Sequence, residues 1–216
     1  MDEIPSVIPH ALVLAAAGFL PMLAVLATSF TKISIVLMML RSAMGVQQSP
    51  SAMVINSISI SLTLFILVPV FQGIWDQNQE TIRNAASFDN TVKLYAIITD
   101  ELQTYMQRFA TERDIVFYID AAKKIWPEEY HVYAVRDNFF ITLLAHITSE
   151  LTRAFEISVI IFIPFLVIDM VVSNILLAMG AMMVSPVMIS LPIKILFFVS
   201  VDGWSRILHS LLMSYA

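Results

Sequence analysis

Charge is concentrated in one stretch of this 216-residue chain, and that concentration limits what the chain can fold into more than any motif does. Of its 12 basic and 17 acidic residues, seven and eleven fall between Asp76 and Asp137. The flanks divide into four hydrophobic segments, at about 7–40, 52–74, 139–182 and 187–213. With 58% apolar and 13% charged residues, against about 45–50% and about 25% in ordinary soluble domains, the chain is read as a membrane-system protein. Disorder, nucleic-acid binding and most cytosolic enzyme chemistry are thereby excluded. The absence of cysteine removes disulfides, thiolate nucleophiles and iron–sulfur clusters as well. A net charge of −5 is too small to define a partner.

Within the charged block, Leu94, Ile97, Ile98, Leu102 and Met106 recur at helical spacing and predict amphipathic helices over 93–109 and 112–125. Trp126-Pro127 stops the second. The expected fold class is all-α, of integral-membrane type, in three parts: 1–74, 75–138 as a polar helical region, and 139–216. About 20 apolar residues cross a bilayer core as a helix, so the first and third segments are long. Segment 7–40 is interrupted by TSFTKIS at 28–34, and 139–182 by charges near its start and by Pro164, so neither predicts one clean spanning helix. The first basic residue is Lys32 and the N-terminus carries Asp2 and Glu3, which does not suit a cleaved leader. Segment 7–40 is expected to be retained. Loop 41–51 holds Arg41 and no acid, so the positive-inside bias puts it in the cytoplasm and the acidic block outside.

Six charges stand among apolar neighbours: Lys32, Glu150, Arg153, Glu156, Asp169 and Lys194. Each would cost about 2.5–3.5 kcal/mol unpaired at the centre of a membrane helix. Glu150, Arg153 and Glu156 follow at i, i+3 and i+6, so Arg153 can pair with either acid, and Asp169 and Lys194 can pair between segments. The signs balance three to three, which favours ion pairs within and between subunits over an ion relay. His146 and Glu150 share a helical face, but no third ligand follows at metal spacing, and His10, His131 and His209 are scattered. No nucleophile, phosphate-loop or dinucleotide motif occurs. A non-enzymatic protein with no catalytic, cofactor or metal site is expected.

Methionine is abundant, at thirteen residues, with Met179, Met182 and Met183 together in LLAMGAMMVSP. An unbranched, adaptable side chain suits irregular packing. Flanking Gly180 and Pro186 leave a loop and a continuous core helix both open here.

The stretches SFTKISIVLMMLRSAMGVQQSPSAM (29–53) and SELTRAFEISVIIFIPFLVIDMVVSNILLAMGAMMVSPVMISLPIKILFFVSVDGW (149–204), with the spacing between them, resemble the FliP/SctR family, the main subunit of the export gate in bacterial type III secretion. SELTRAFEI and SNILLAMG look more like the injectisome branch than the flagellar one. The resemblance implies a homopentamer joined by two smaller gate subunits, SctS/FliQ-like and SctT/FliR-like, among other export-apparatus and basal-body components. It implies an inner-membrane location with much of the chain on the periplasmic side, and passage of secreted unfolded proteins. Carried over by position, the family's methionine-rich constriction falls on Ala181, Met182 and Met183, with Met179 beside it as a further gasket residue. Its charged contacts fall on Lys32, Glu150, Asp169 and Lys194. The family's triple methionine stands here as Ala181-Met182-Met183, and its proline and aromatic before SEL stand as Leu144 and His146. Two other classes remain: an independent transporter or channel using Asp169 or Glu150, for which inverted repeats are missing, and a pure scaffold.

Overall fold

The computed structural model describes residues 18–46, 49–83, 88–181 and 183–216. Among them every regular element is helical: α1 (Leu20–Leu26), α2 (Phe30–Met44), α3 (Ala52–Gln77), α4 (Gln79–Arg83), α5 (Phe88–Phe109), α6 (Glu112–Ile125), a 3-10 turn (Glu128–Tyr133), α7 (Phe139–Ala178), α8 (Pro186–Ser200) and α9 (Gly203–Met213).

Local chemistry sets the boundaries. The polar run at 28–34 breaks the first segment because its hydroxyls take up the last carbonyls of α1. Thr28 Oγ1 donates to the Ala24 carbonyl at 2.5 Å and Thr31 Oγ1 to that of Val25 at 2.7 Å. Helix α6 begins at Thr111, whose side chain accepts the Asp114 amide. It places Glu112 and Asp114 at its positive end and Lys123 and Lys124 at its negative end, and it stops at Trp126, held extended before Pro127. Two helices end at a left-handed glycine directly after a methionine: Met44-Gly45 (φ 78°) and Met179-Gly180 (φ 71°). A Ser-Pro pair then leads into the next helix, Ser49-Pro50 just before α3 and Ser185-Pro186 at the start of α8.

One expectation needs correction. Residues 139–178 form one unbroken helix that runs through Pro164. A proline removes a single ladder bond, and an apolar helix of this type absorbs that loss through neighbouring groups without breaking. At 40 residues α7 is about 60 Å long, roughly twice the hydrocarbon core of a bilayer. Segment 187–213, by contrast, is bent by 62° between α8 and α9. Asp202 adopts the left-handed conformation there (φ 53°), and Ser205 Oγ donates to its Oδ1 at 3.1 Å. By length and apolarity α3 and α7 can each cross a membrane, and α8 with α9 make a third candidate if the bent pair is counted as one.

The chain packs as two compact units, each drawn from two stretches. One uses the described parts of Met1–Thr31 and Leu67–Glu150, the other Lys32–Ile66 and Leu151–Ala216. The division at 74 and 138 is thus one of polarity, and packing groups the chain differently. In the second unit, Ile33, Val36, Leu37, Leu40 and Met44 line one face of α2 and bury against Ile55, Ala154, Phe165, Phe198 and Leu211. Burial of each large side chain contributes about 1.5–3 kcal/mol. In the first unit, Ala122 and Ala134 close on Ile141 with Tyr118, Ile119 and Trp126 around them. Broad apolar faces of α3 and α7 stay exposed, including Leu64, Phe65, Val159, Ile160, Ile163 and Met170.

Candidate functional site: buried charges and the methionine loop

The second unit brings Lys194 and Asp169 together. Lys194, on the buried side of α8, donates from Nζ to Asp169 Oδ2 at 2.6 Å and to the Ala43 carbonyl at 3.1 Å. The ammonium end is shielded while the carboxylate is partly open: side-chain exposure is 7% for Lys194 and 38% for Asp169. The carbonyl of Ala43 lies in the last turn of α2, where unpaired helix carbonyls favour a cation. Lys32, in the first turn of α2, is fully buried, with its ammonium 3.5 Å from the centre of the Tyr215 ring.

Glu150, Arg153 and Glu156 occupy one helix but grade from buried through half-buried to exposed. Successive steps of three residues turn about 60° around a helix axis, so the row drifts off the buried face. Glu150 belongs to the first unit and the other two to the second.

The methionine loop follows the end of α7. The Gly180 amide donates to the Leu177 carbonyl and the Ala181 amide to that of Leu176, both at 3.0 Å, which is the paired closure that only a left-handed residue after the helix allows. Met179 is largely exposed and Met183 fully so, with Met188 also exposed in the first turn of α8. Met182 lies outside the described residues.

Sequence reading missed a polar hub in the first unit. Ser149 Oγ, on α7, donates to Asp114 Oδ2 at 2.7 Å and accepts the Thr111 amide at 2.9 Å, while Thr111 Oγ1 donates to the same carboxylate at 2.8 Å. Arg113 adds a contact at 3.3 Å from solvent. The Thr-x-x-Asp spacing at 111–114 is a capping signal visible in sequence, but Ser149 is not legible from it. Burial alone would raise the Asp114 carboxyl; the hydrogen bonds from Ser149, Thr111 and Arg113 outweigh it and hold the group below the usual 3.8. A carboxyl depressed in the folded state contributes stability above its unfolded pKa, and that contribution is lost as pH falls through the lower folded value. Acidification below about pH 3.8 is therefore expected to destabilise the purified protein more steeply than it does Asp114→Asn. Superimposable acid-unfolding curves for the two would remove the hub from the explanation. Nearby, Tyr105 is buried in ring contact with Phe109 and His146. Burial pushes its hydroxyl above the ordinary range; Ser29 opposes that rise and the Glu150 charge adds to it.

An all-helical architecture with membrane-length apolar helices, a shielded ammonium–carboxylate pair and an exposed methionine loop defines a membrane-type helical protein. Its large apolar faces suit lipid or protein neighbours more than water. The chain belongs to the FliP family, whose sequence model matches residues 13–211. It is 40% identical over 215 residues to Yop proteins translocation protein R of Yersinia pestis, covering 100% of this chain and 99% of that relative. It is 39% identical over 206 residues to the harpin secretion protein HrcR of Erwinia amylovora, covering 95% and 94%. To the flagellar biosynthetic protein FliP of Bacillus subtilis it is 37% identical over 218 residues, covering 99% and 94%.

Proposed function

We propose that this chain is the main subunit of a type III secretion export gate, a non-enzymatic pore through which unfolded proteins leave across the bacterial inner membrane. Full-length similarity to translocation protein R carries the proposal, and the FliP family match, spanning both packing units, supports it. The chain acts with other components of a secretion apparatus, as the names of its relatives indicate. The finer assignments are a homopentamer with the two smaller gate subunits, placed within the basal body with much of the chain on the periplasmic side. The injectisome branch is preferred on the SELTRAFEI and SNILLAMG wording, with translocation protein R at 40% identity beside 37% for flagellar FliP. Family membership does not support an independent ion transporter, and Asp169 is engaged by Lys194.

Met179, Met182 and Met183 form the gasket in this proposal. Cyclic symmetry turns one loop into a ring of thioethers. Flexible apolar side chains exclude water and ions by dewetting and deform around a passing chain, as stiff β-branched residues would not. Met182→Ala combined with Met183→Ala is expected to leave the complex assembled, read by native mass after detergent extraction, and to raise small-ion permeability several-fold. An assembled double variant with unchanged permeability would sink the gasket role, and a monomeric or dimeric native mass for the unsubstituted protein would sink the gate.

A further inference from the structure

We propose that Tyr215 is a positioning residue for Lys32, holding its ammonium through the face of the phenol ring. Lys32 is 1% exposed and its Nζ stands 3.5 Å from the ring centre. Two circumstances make negative potential beside the ammonium favourable. Water is excluded from the ammonium, and the first turn of α2 presents the positive end of the helix's peptide dipoles to it. An aromatic face carries negative potential, and its attraction for a cation grows when both are desolvated. Tyr215 is itself 7% exposed, and its backbone amide donates to the Leu212 carbonyl at 3.0 Å, so the turn after α9 fixes where the ring lies. Leu211 is anchored in the same core as Ile33 and Val36 of α2, which carries α9 and α2 as one packed body within the second unit.

Sequence reading placed Lys32 among the charges expected to form ion pairs and named no particular partner for it; the ring is an addition to that account. The ring–ammonium contact lies within one chain and does not depend on the export-gate reading.

The test is made on the full chain purified in detergent. Phenylalanine, then mono-, di- and trifluorophenylalanine, are placed at position 215, which weakens the ring-face potential stepwise at nearly constant shape. The thermal midpoint is expected to fall with each fluorine, by a total of roughly 3–6 °C at the trifluoro step, with Tyr215→Phe close to the unsubstituted protein and Tyr215→Leu at the bottom of the series. In a Lys32→Met background the fluorine dependence is expected to vanish. A flat series, or a slope that survives Lys32→Met, overturns the assignment by showing that the ring only fills space. Should Lys32→Met fail to fold, the series in the unsubstituted background decides alone, a slope supporting and a flat line overturning. Native mass of the unsubstituted protein reads the assembly proposal separately, so a monomer there would fail the gate and leave the fluorine slope to judge Tyr215.

Discussion

Gly203→Ala is expected to lower the stability of the purified protein by about 3 kcal/mol and its thermal midpoint by roughly 6–12 °C. A Cβ at this position would overlap the ring of Phe198. That ring cannot step aside easily: it is 5% exposed, sits edge-on to Trp204 with centres 5.4 Å apart, and packs on Phe165 at 6.3 Å. Gly203 is also the first residue of α9, directly after the left-handed Asp202, so a backbone shift to relieve the clash would have to reopen the 62° corner. The cause can be isolated. Phe198→Leu alone is expected to cost about 1–2 kcal/mol, yet in the Gly203→Ala background it should restore part of the loss by clearing space. If Gly203→Ala unfolds at the temperature of the parent, the corner is not closely packed and this account fails.

Asp169→Ala should cost about 3 kcal/mol, the lower end of the range for breaking a buried ion pair, because the carboxylate is partly open to solvent. The loss leaves the Lys194 ammonium shielded, with the Ala43 carbonyl as its remaining partner in the pair's geometry. Lys194→Met is expected to cost less, about 1 kcal/mol, since water can solvate a half-exposed carboxylate and the methionine stem fills the same space. The double variant should then match Lys194→Met alone. Such asymmetry distinguishes a desolvated cation from a symmetric bridge, and equal losses for the two single variants would refute it. On native gels the complex should be lost with Asp169→Ala before any defect in a secreted substrate is seen.

Much of the helical framework was legible because it is written in short-range chemistry. Apolar residues at helical spacing predicted 93–109 and 112–125, and the helices found there are Phe88–Phe109 and Glu112–Ile125. The stop at Trp126-Pro127 and the break at 28–34 were likewise visible, since a restricted residue before proline and a cluster of hydroxyls act within one turn. Two features ran the other way. Pro164 carries a local penalty that the apolar context of α7 overrides, so a proline read as an interruption sits inside the helix. The Asp202-Gly203 pair was a turn signal, but it is submerged in an apolar run that reads as one segment. For the site, sequence supplied the charges without their distances. Asp169 and Lys194 are 25 positions apart, and their meeting depends on the register of two helices across the methionine loop. Ser149 and Asp114, 35 positions apart, met through packing that no spacing rule encodes.

The repeated Met-Gly and Ser-Pro punctuation at the ends of α2 and α7 bears on the order in which the chain is made. Each pair specifies where one helix stops and the next starts from residues a few positions apart, so neither turn waits for distant sequence to be synthesised. Closing a short loop costs little chain entropy, and local contacts form fastest. Once Pro186 has been added, the signals that end α7 and open α8 are both in the chain, before Lys194 is made. The Lys194–Asp169 contact spans that short connection, with the ammonium shielded.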